Sequence, residues 1–301
     1  MNKRILIIGG TGFLGYHLAK KCLSKKWHVT SISTNNPKKI RFLSKVKYLI
    51  LDITKKKLML KKIKSNYDYV VNFGGYVNHS ERLKTYKSHY IGCKNLADIF
   101  KDKKIKSFIQ IGSSVEYGNI RSPQKEDDKT NILKLKSTYG QAKLMATNYL
   151  LKLNKNYNFP CTILRLYLVY GPGQDNNRLI PYTLNECMND NIFMCSAGKQ
   201  FRDFLFVEDL VKAIFSCFNN KRAIGEIINI GTGKPRNVKK IILFIKNKIK
   251  LGKPIFGKIP LRKDEILRLY PNISKAKKIL NWEPLSSFKK GIEIIIKYYK
   301  S

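Results

Sequence analysis

The sequence predicts an α/β fold in which a doubly wound parallel sheet, residues 1–170, is followed by a smaller mixed α/β lobe, residues 171–301. Three observations lead to this prediction. An apolar strand, a glycine-rich turn and a helix open the chain. Short apolar strands then alternate with helical stretches, a pattern typical of a parallel sheet with helices on both faces. After residue 170, glycine and proline breaks divide the chain into shorter elements.

The opening unit has the order strand, glycine turn, helix. Residues 5–8 read as a buried strand and residues 13–25 as a helix, and Gly9, Gly12 and Gly15 give the spacing G-x-x-G-x-x-G between them. Glycines let a pyrophosphate lie close to main-chain N–H groups at the positive end of the helix dipole. The unit therefore predicts a Rossmann-type dinucleotide site, with a plain glycine turn as the alternative.

The elements that follow continue the alternation. We predict further strands at residues 28–33, 46–51, 69–73, 107–111 and 161–166. We predict helices at residues 55–64, 82–101 and 137–153. A ligand of such a sheet binds at the carboxyl ends of the strands, and the smaller lobe is expected to close over it.

Composition excludes several classes of protein. Hydrophobic residues make up 43% of the 301 residues, which indicates a globular chain. No apolar run approaches the ~20 residues of a membrane span, and the apolar run after Met1 ends in glycines, unlike a signal peptide. The six cysteines form no C-x-x-C pair, so we expect a cytoplasmic protein with neither disulfides nor a metal site.

The formal net charge of +39 raises the question of an anionic partner. Lysines and arginines are spread along the whole chain without a basic tail, and Lys far outnumbers Arg. Because sequence-specific DNA readers rely on Arg, we expect solvated lysine-rich faces and no nucleic-acid partner. Weak attraction to an anionic membrane surface or to anionic substrates stays open.

A tyrosine and a lysine four residues apart carry the predicted chemistry. Tyr139 and Lys143 would lie on one face of a helix. An ammonium group and a cationic nicotinamide favour the phenolate, so they lower a phenol pKa that is ordinarily ~10. Tyr139 can then exchange a proton with a carbonyl or alcohol oxygen. Ser113 follows a buried strand, so its hydroxyl is expected at the same sheet edge, with an ordinary turn serine as the alternative.

With these motifs in this order, nearly the whole chain resembles the extended short-chain dehydrogenase/reductase superfamily, in its nucleotide-sugar epimerase/dehydratase group. The stretches that carry the resemblance include Leu164-Arg165-Leu166-Tyr167-Leu168-Val169-Tyr170-Gly171-Pro172, Arg202-Asp203-Phe204 and Leu280-Asn281-Trp282-Glu283-Pro284. They are similar to L-R-x-x-N-V-Y-G-P, to R-D-F and to the C-terminal signature of the group. The second half most resembles the CDP-abequose/CDP-paratose synthase branch of 4-ketoreductases.

The resemblance implies roles for the residues at matching positions. Ser113, Tyr139 and Lys143 would be the catalytic residues. The cofactor-binding positions would be Gly9, Thr11, Gly12, Phe13, Leu14, Gly15, Ser33, Thr34, Asn35, Asp52, Ile53, Phe73, Gly74, Gly75, Tyr139 and Lys143. Ser114, Arg202 and Arg262 would bind the nucleotide sugar, with the guanidinium groups on its diphosphate. Ordinary packing arginines are the alternative.

The chain departs from the group at the end of the strand that precedes Ser113. Related 4,6-dehydratases carry Thr-Asp-Glu there, and this chain has Ser113-Ser114-Val115, so an elimination lacks its acid and base. Glu116, one place further on, is expected to point elsewhere. A histidine, His89, stands where the group often has Asn, and His79 is left without a role.

A second departure concerns the cofactor. NAD-preferring members place an acidic residue at the end of the second strand to bind the ribose 2′-hydroxyl. This chain has Ser33, Thr34 and Asn35 there, followed by the cations Lys38, Lys39 and Arg41. We therefore expect a preference for NADP(H), with NAD(H) possible.

Taken with the resemblance, these residues predict an NAD(P)H-dependent reductase of a nucleotide-linked 4-keto (deoxy) sugar. Tyr139 would protonate the alkoxide that forms when the hydride reaches the keto carbon. A nucleotide-sugar 4-epimerase with tightly held NAD is the alternative, and a catalytically silent dinucleotide-binding protein is a third possibility. By analogy with the superfamily, the helices at residues 82–101 and 137–153 would form a homodimer interface.

Overall fold

A seven-stranded parallel sheet organises the molecule. The computed structural model describes residues 2–261 and 265–300. Its strands are β1 (Arg4–Ile8), β2 (His28–Ser33), β3 (Val46–Ile50), β4 (Tyr69–Asn72), β5 (Ser107–Ser113), β6 (Cys161–Leu166), β7 (Leu168–Tyr170), β8 (Ile192–Met194), β9 (Phe201–Arg202), β10 (Phe204–Phe206), β11 (Ile227–Ile230), β12 (Arg236–Asn237), β13 (Lys253–Ile255) and β14 (Arg268–Leu269). Its helices are α1 (Phe13–Ser24), α2 (Lys56–Lys62), α3 (Arg82–Tyr86), α4 (Gly92–Phe100), α5 (Thr138–Tyr157), α6 (Leu179–Met188), α7 (Val207–Cys217), α8 (Val238–Ile249), α9 (Ser274–Leu280) and α10 (Phe288–Lys300).

The strand order confirms the predicted doubly wound sheet. Across the sheet the order is β3-β2-β1-β4-β5-β6-β11, and every neighbouring pair is parallel. The chain first moves from β1 towards one edge and then returns to continue from β4 towards the other. The reversal opens a crevice beyond the carboxyl ends of β1 and β4, which is where ligands of such sheets bind.

Both faces of the sheet are buried, which explains why its strands read as continuous apolar runs. Along β1, Ile5 and Ile7 belong to the hydrophobic cluster that contains residues of α1, α7 and α9. Leu6 and Ile8 belong to the opposite cluster, with residues of α4 and α5. Because successive side chains of a strand point to opposite faces, a strand covered on both sides needs apolar residues at every position.

The chain beyond residue 170 contributes both to a smaller lobe and to the main sheet. Short strands and the helices α6, α8 and α10 surround a third hydrophobic cluster. However, β11 pairs with β6 as the seventh strand of the main sheet, and α7 packs in the cluster that covers β1. The division into two domains, residues 1–170 and 171–301, therefore stays a prediction. In the structure, part of the second segment belongs to the main sheet and to the helices that cover it.

The predicted helix at residues 82–101 is interrupted. It consists of α3, a π-helical turn over Lys87–Ile91, and α4. Such π turns often occur at functional sites, and this one places His89 in the interior. The other predicted elements differ from the structure by a few residues at their ends, and the strand β11 had not been predicted.

The remaining sequence expectations concern membranes and metals. No helix in the described ranges is both long and apolar enough to cross a bilayer. Within the same ranges, no group of His, Cys, Asp and Glu side chains is arranged to hold a metal ion. All six cysteines are free and buried.

Candidate active site

The glycine turn after β1 is too tight for any side chain at its third glycine. The N–H of Gly9 donates to the carbonyl oxygen of Ile32 at 2.7 Å, and that of Gly12 donates to Gly9 at 3.0 Å. A Cβ on Gly15 would lie 2.4 Å from the Gly9 carbonyl oxygen. Gly9 itself has a φ of +76°, a conformation that favours glycine. The motif therefore lets α1 begin directly against the end of β1.

The first turn of α1 fits an anionic group. Gly12 is its N-cap, and within the described residues no side chain caps the helix and no acidic residue lies in its first turn. The main-chain N–H groups of Phe13, Leu14 and Gly15 thus have no partner inside the helix, and they stand at the positive end of its dipole. The N–H of Thr11 donates to Ser33 Oγ at 3.3 Å, which ties the turn to the end of β2. These features suit the pyrophosphate of a dinucleotide.

The segment after β4 forms another wall of the crevice. Asn72 is buried, donates from Nδ2 to Gln110 at 2.7 Å and accepts from the N–H of Gly74 at 2.9 Å, so it holds the segment in place. A Cβ on Gly75 would lie only 1.8 Å from the His89 ring. A Cβ on Gly74 would lie 2.7 Å from Ile8, so neither glycine of this predicted contact segment, Phe73-Gly74-Gly75, leaves room for a side chain.

The residues predicted to contact the adenine follow β3. Asp52 accepts a hydrogen bond from the N–H of Thr54 at 2.8 Å, and this contact fixes the turn. Ile53 is buried, and a Cβ on Gly92 would lie 2.6 Å from its Cδ1. Ile53 thus packs between the sheet and the start of α4, and Asp52 presents its carboxylate beside it.

The cations expected to favour a ribose 2′-phosphate are partly engaged elsewhere. Arg41 is buried, and its Nη2 donates to the Gly173 carbonyl oxygen at 2.9 Å and to Asp175 at 2.8 Å. The ammonium group of Lys38 lies 2.8 Å from the same Asp175 carboxylate. Sequence reasoning missed Asp175, which is separated from Arg41 by 134 residues. The loop that bears it belongs to the segment after residue 170, so the pair links the cofactor side of the crevice to that segment.

Helix α5 carries the tyrosine and the lysine on one face, as predicted. Ser137 caps the helix by accepting from the N–H of Gly140 at 3.0 Å. Lys143 is buried, and its ammonium group donates to the Ile111 carbonyl oxygen at 2.6 Å while lying 5.9 Å from the centroid of the Tyr139 ring. The lysine is therefore fixed to β5 beside the tyrosine.

Two histidines enclose the Tyr139 ring. His79 stacks on it with ring centroids 3.8 Å apart and an interplanar angle of 11°. His89 approaches it edge-on at 4.8 Å. The Nε2 of His89 lies 3.1 Å from the Tyr76 carbonyl oxygen, which can only accept, so this nitrogen carries the proton. Its Nδ1 is buried with no hydrogen-bond partner in the part of the chain that the structure describes.

Burial governs the proton equilibria of this cluster. It raises the pKa of Tyr139 above the ordinary value, and a hydrogen bond with Ser113 only partly offsets the rise. It also lowers the pKa of Lys143, and it lowers the pKa of His89 to about 2. For the protein alone, the direction at Tyr139 is opposite to the one expected from the neighbouring ammonium. The sequence argument counted charges, and it had no access to the desolvation that the folded surroundings produce.

The serine pair lies at the end of β5. Ser113 is the last residue of the strand, and its Oγ accepts from the N–H of Val115 at 3.4 Å. Ser114 is buried in the short turn that follows. Glu116 points into the core, where its carboxylate lies 3.0 Å from Arg165 Nε, so it is not available to a substrate. The structure thus brings Ser113, Tyr139 and Lys143 together at one edge of the sheet.

The predicted diphosphate ligands lie in the segment after residue 170. Arg202 is on β9, where it donates to the Phe201 carbonyl oxygen at 2.9 Å and pairs with the carboxylate of Glu265. A diphosphate would have to compete with that carboxylate for the guanidinium group. Arg262 lies outside the described residues.

Comparisons with known proteins agree with this geometry. The chain matches the NAD dependent epimerase/dehydratase family over residues 5–231. It is 30% identical over 312 residues to a "Putative UDP-glucose 4-epimerase" of Methanocaldococcus jannaschii, covering 99% of this chain and 98% of that protein. A CDP-abequose synthase of Salmonella typhimurium is 34% identical over 141 residues, which are 44% of this chain and 46% of the relative.

A solved structure is similar over the full length. UDP-glucuronic acid 4-epimerase from Bacillus cereus, in complex with UDP-glucuronic acid and NAD, has 25% sequence identity and a TM-score of 0.86, with 99% of both chains covered. The family match covers most of the sheet, including the glycine turn and the Ser113, Tyr139 and Lys143 positions. The chain therefore belongs to the NAD-dependent epimerase/dehydratase family of extended short-chain dehydrogenases/reductases, a family of enzymes that act on nucleotide sugars.

Proposed function

We propose that this enzyme is an NAD(P)H-dependent reductase of a nucleotide-linked 4-keto (deoxy) sugar. The observation that carries the proposal is the enclosure of the half-buried Tyr139 between His79 and His89, where desolvation raises the pKa of its phenol. A phenol with a raised pKa is protonated at neutral pH, and a carbonyl reduction needs a proton donor at that position. An epimerase must first remove a proton from an alcohol, for which a phenolate is needed.

The residues of this chain divide the work as follows. A bound nicotinamide cofactor would supply the hydride for the keto carbon. Tyr139 donates its proton to the alkoxide oxygen that results. Ser113 hydrogen-bonds the same oxygen and orients it towards the phenol. Lys143, fixed to the Ile111 carbonyl oxygen, places a positive charge beside the phenolate that remains.

We propose substrate-binding roles for three further residues. Ser114 and Arg202 would contact the nucleotide sugar, and Arg202 would exchange Glu265 for the diphosphate. Arg262 would be the second diphosphate ligand. The local likeness to a CDP-abequose synthase favours a CDP-linked sugar among the nucleotide sugars.

The family supports NAD(H) as a cofactor, and we propose NADP(H) as the preferred form. Ser33, Thr34 and Asn35 bring no negative charge to the end of β2, so a 2′-phosphate would meet no repulsion there. Among the described residues Lys39 is a cation of this loop without an ion pair, whereas Asp175 neutralises part of the charge of Lys38. We further propose a cytoplasmic homodimer.

A nucleotide-sugar 4-epimerase is the second candidate. The relative that is 30% identical over nearly all of this chain carries that activity in its name. The same three residues would serve, with the hydride returned to the sugar after rotation. In that case the cofactor would stay bound and would not be consumed.

The experiment that tests the proposal follows cofactor and product together. The purified enzyme is mixed with NADPH or NADH and with CDP-, dTDP-, GDP- and UDP-linked 4-keto and 4-hydroxy sugars, one at a time. The proposal predicts equimolar loss of nicotinamide absorbance and gain of reduced sugar, faster with NADPH. A changed sugar with no net cofactor oxidation would refute it in favour of the epimerase.

A further inference from the structure

A buried carboxylate lies directly behind the predicted catalytic serine. Glu116 is fully buried, and its Oε1 accepts from the main-chain N–H of Ser113 at 2.8 Å. Its Oε2 accepts from the Thr147 hydroxyl at 2.8 Å and from Arg165 Nε at 3.0 Å. One side chain thus joins the end of β5 to helix α5 and to strand β6.

The surroundings of this carboxylate are closely packed. A Cβ on Gly112 would lie 2.6 Å from its Oε1, so a larger residue at position 112 would displace the carboxylate. Arg165 is itself almost fully buried and lies over the Tyr117 ring at 4.4 Å from the ring centroid. The Tyr117 hydroxyl donates to Asn229 on β11 at 2.8 Å. The arrangement therefore links β5, which carries Ser113, to the strands β6 and β11.

Stability alone does not account for a buried ion pair. Desolvating two charges costs several kcal/mol per ion, and replacing such a pair by apolar residues of similar volume is often neutral or stabilising. An apolar pair would nevertheless leave the Ser113 N–H without an acceptor and would release the end of β5. We propose that Glu116 is a positioning residue for the proposed reductase, which holds the Ser113 hydroxyl in register with Tyr139 on α5.

The effect of the Glu116 charge on the pKa of Tyr139 can be measured separately from an effect on packing. Its carboxylate adds to the rise of the Tyr139 pKa that burial causes. Other groups also face the phenol. They are Ser113 on β5, Lys143 on α5, the rings of His79 and His89 on the opposite wall, and the charged side chain of Arg178. With Glu116 neutral, the phenol loses its proton at lower pH, so the alkaline limb of the kcat profile moves towards lower pH.

Two variants separate positioning from folding. E116Q keeps the shape of the side chain but leaves Arg165 without its counter-ion, so it is expected to lose stability. The double variant E116L/R165M removes both charges and keeps the volume. E126Q is the matched control, because Glu126 also accepts a backbone hydrogen bond, from Asn229 at 2.8 Å, but within the described part of the chain it makes no hydrogen bond with Ser113.

For the double variant we expect a cooperative thermal transition near that of the wild type. We expect kcat of the double variant to fall about 10- to 100-fold with little change in KM for the cofactor. In E116Q, which removes only the negative charge, we expect the alkaline limb to move to lower pH. An unchanged kcat in a folded double variant, or an unchanged alkaline limb in a folded E116Q, would overturn the proposal. If the wild type reduces no sugar, the proposed function fails. A spectroscopic titration of the Tyr139 phenol, read as the difference between each protein and its Y139F counterpart, then still decides whether Glu116 acts on that phenol.

Discussion

The buried histidine beside Tyr139 makes a quantitative prediction about acid stability. His89 is 5% exposed, and burial lowers its pKa to about 2. In the unfolded chain the same ring binds a proton near its ordinary value of ~6.5. As the pH falls through that value, the unfolded state gains a proton that the folded state does not, so stability is lost on the acid side.

The magnitude follows from this difference in proton uptake. Well below the unfolded pKa, the free energy of unfolding falls by about 1.4 kcal/mol for each pH unit for one such group. Between about pH 7 and about pH 5 the contribution of His89 integrates to about 2 kcal/mol. H89Q removes this contribution, while its amide can still donate to the Tyr76 carbonyl oxygen that the ring contacts.

The assay is urea unfolding of the wild type and of H89Q at several pH values in that interval. Burial also lowers the pKa values of His17 and His79, and it raises that of Asp203. The contributions of groups that do not contact His89 cancel when the pH dependence of one protein is subtracted from that of the other. H28Q, at an exposed histidine, is the matched control. If H89Q lost as much stability on acidification as the wild type, the burial argument for this site would be wrong.

Three further predictions concern chemistry, cofactor choice and assembly. Y139F should lower kcat by about 100- to 10,000-fold, since it removes the proton donor, with folding and cofactor binding retained; Y157F, at an exposed tyrosine of the same helix, should leave kcat unchanged. D175N should free Lys38 and Arg41, the two cations that pair with this carboxylate, so the KM for NADPH should fall by about fivefold relative to the KM for NADH. An unchanged ratio of the two KM values would exclude a role for this loop in cofactor choice. L83E places a charge on an exposed leucine of α3 and should turn the proposed dimer into a folded monomer by light scattering; a monomeric wild type would contradict the interface.

The parts of the fold that could be predicted are those that depend on residues close together in the sequence. The glycine turn, the flanking strand and helix and the Tyr139–Lys143 spacing each occupy a few consecutive residues, so periodicity and turn chemistry identify them. The strand β11 was missed because its place in the sheet depends on pairing with β6, some 60 residues earlier in the chain. An apolar run of four residues does not reveal its partner.

The site shows the same division between local and long-range information. The four-residue spacing predicted that Tyr139 and Lys143 lie on one helix face. It could not predict that His79, from a separate loop, stacks on the phenol. The contact between Arg41 and Asp175 joins residues that no local pattern connects. For the protein without cofactor, the pKa of Tyr139 lies above its ordinary value, because desolvation is a property of the folded surroundings that the local sequence does not contain.

The central claim is a net reduction with Tyr139 as the proton donor, and isotope transfer tests it most directly. The enzyme is supplied with nicotinamide cofactor that carries deuterium at both C4 positions and with the nucleotide-linked 4-keto sugar, and the product is analysed by mass spectrometry. The account predicts one deuterium in each molecule of reduced sugar, and loss of this transfer in Y139F. A product that contains no deuterium, formed while the added cofactor stays reduced, would contradict it.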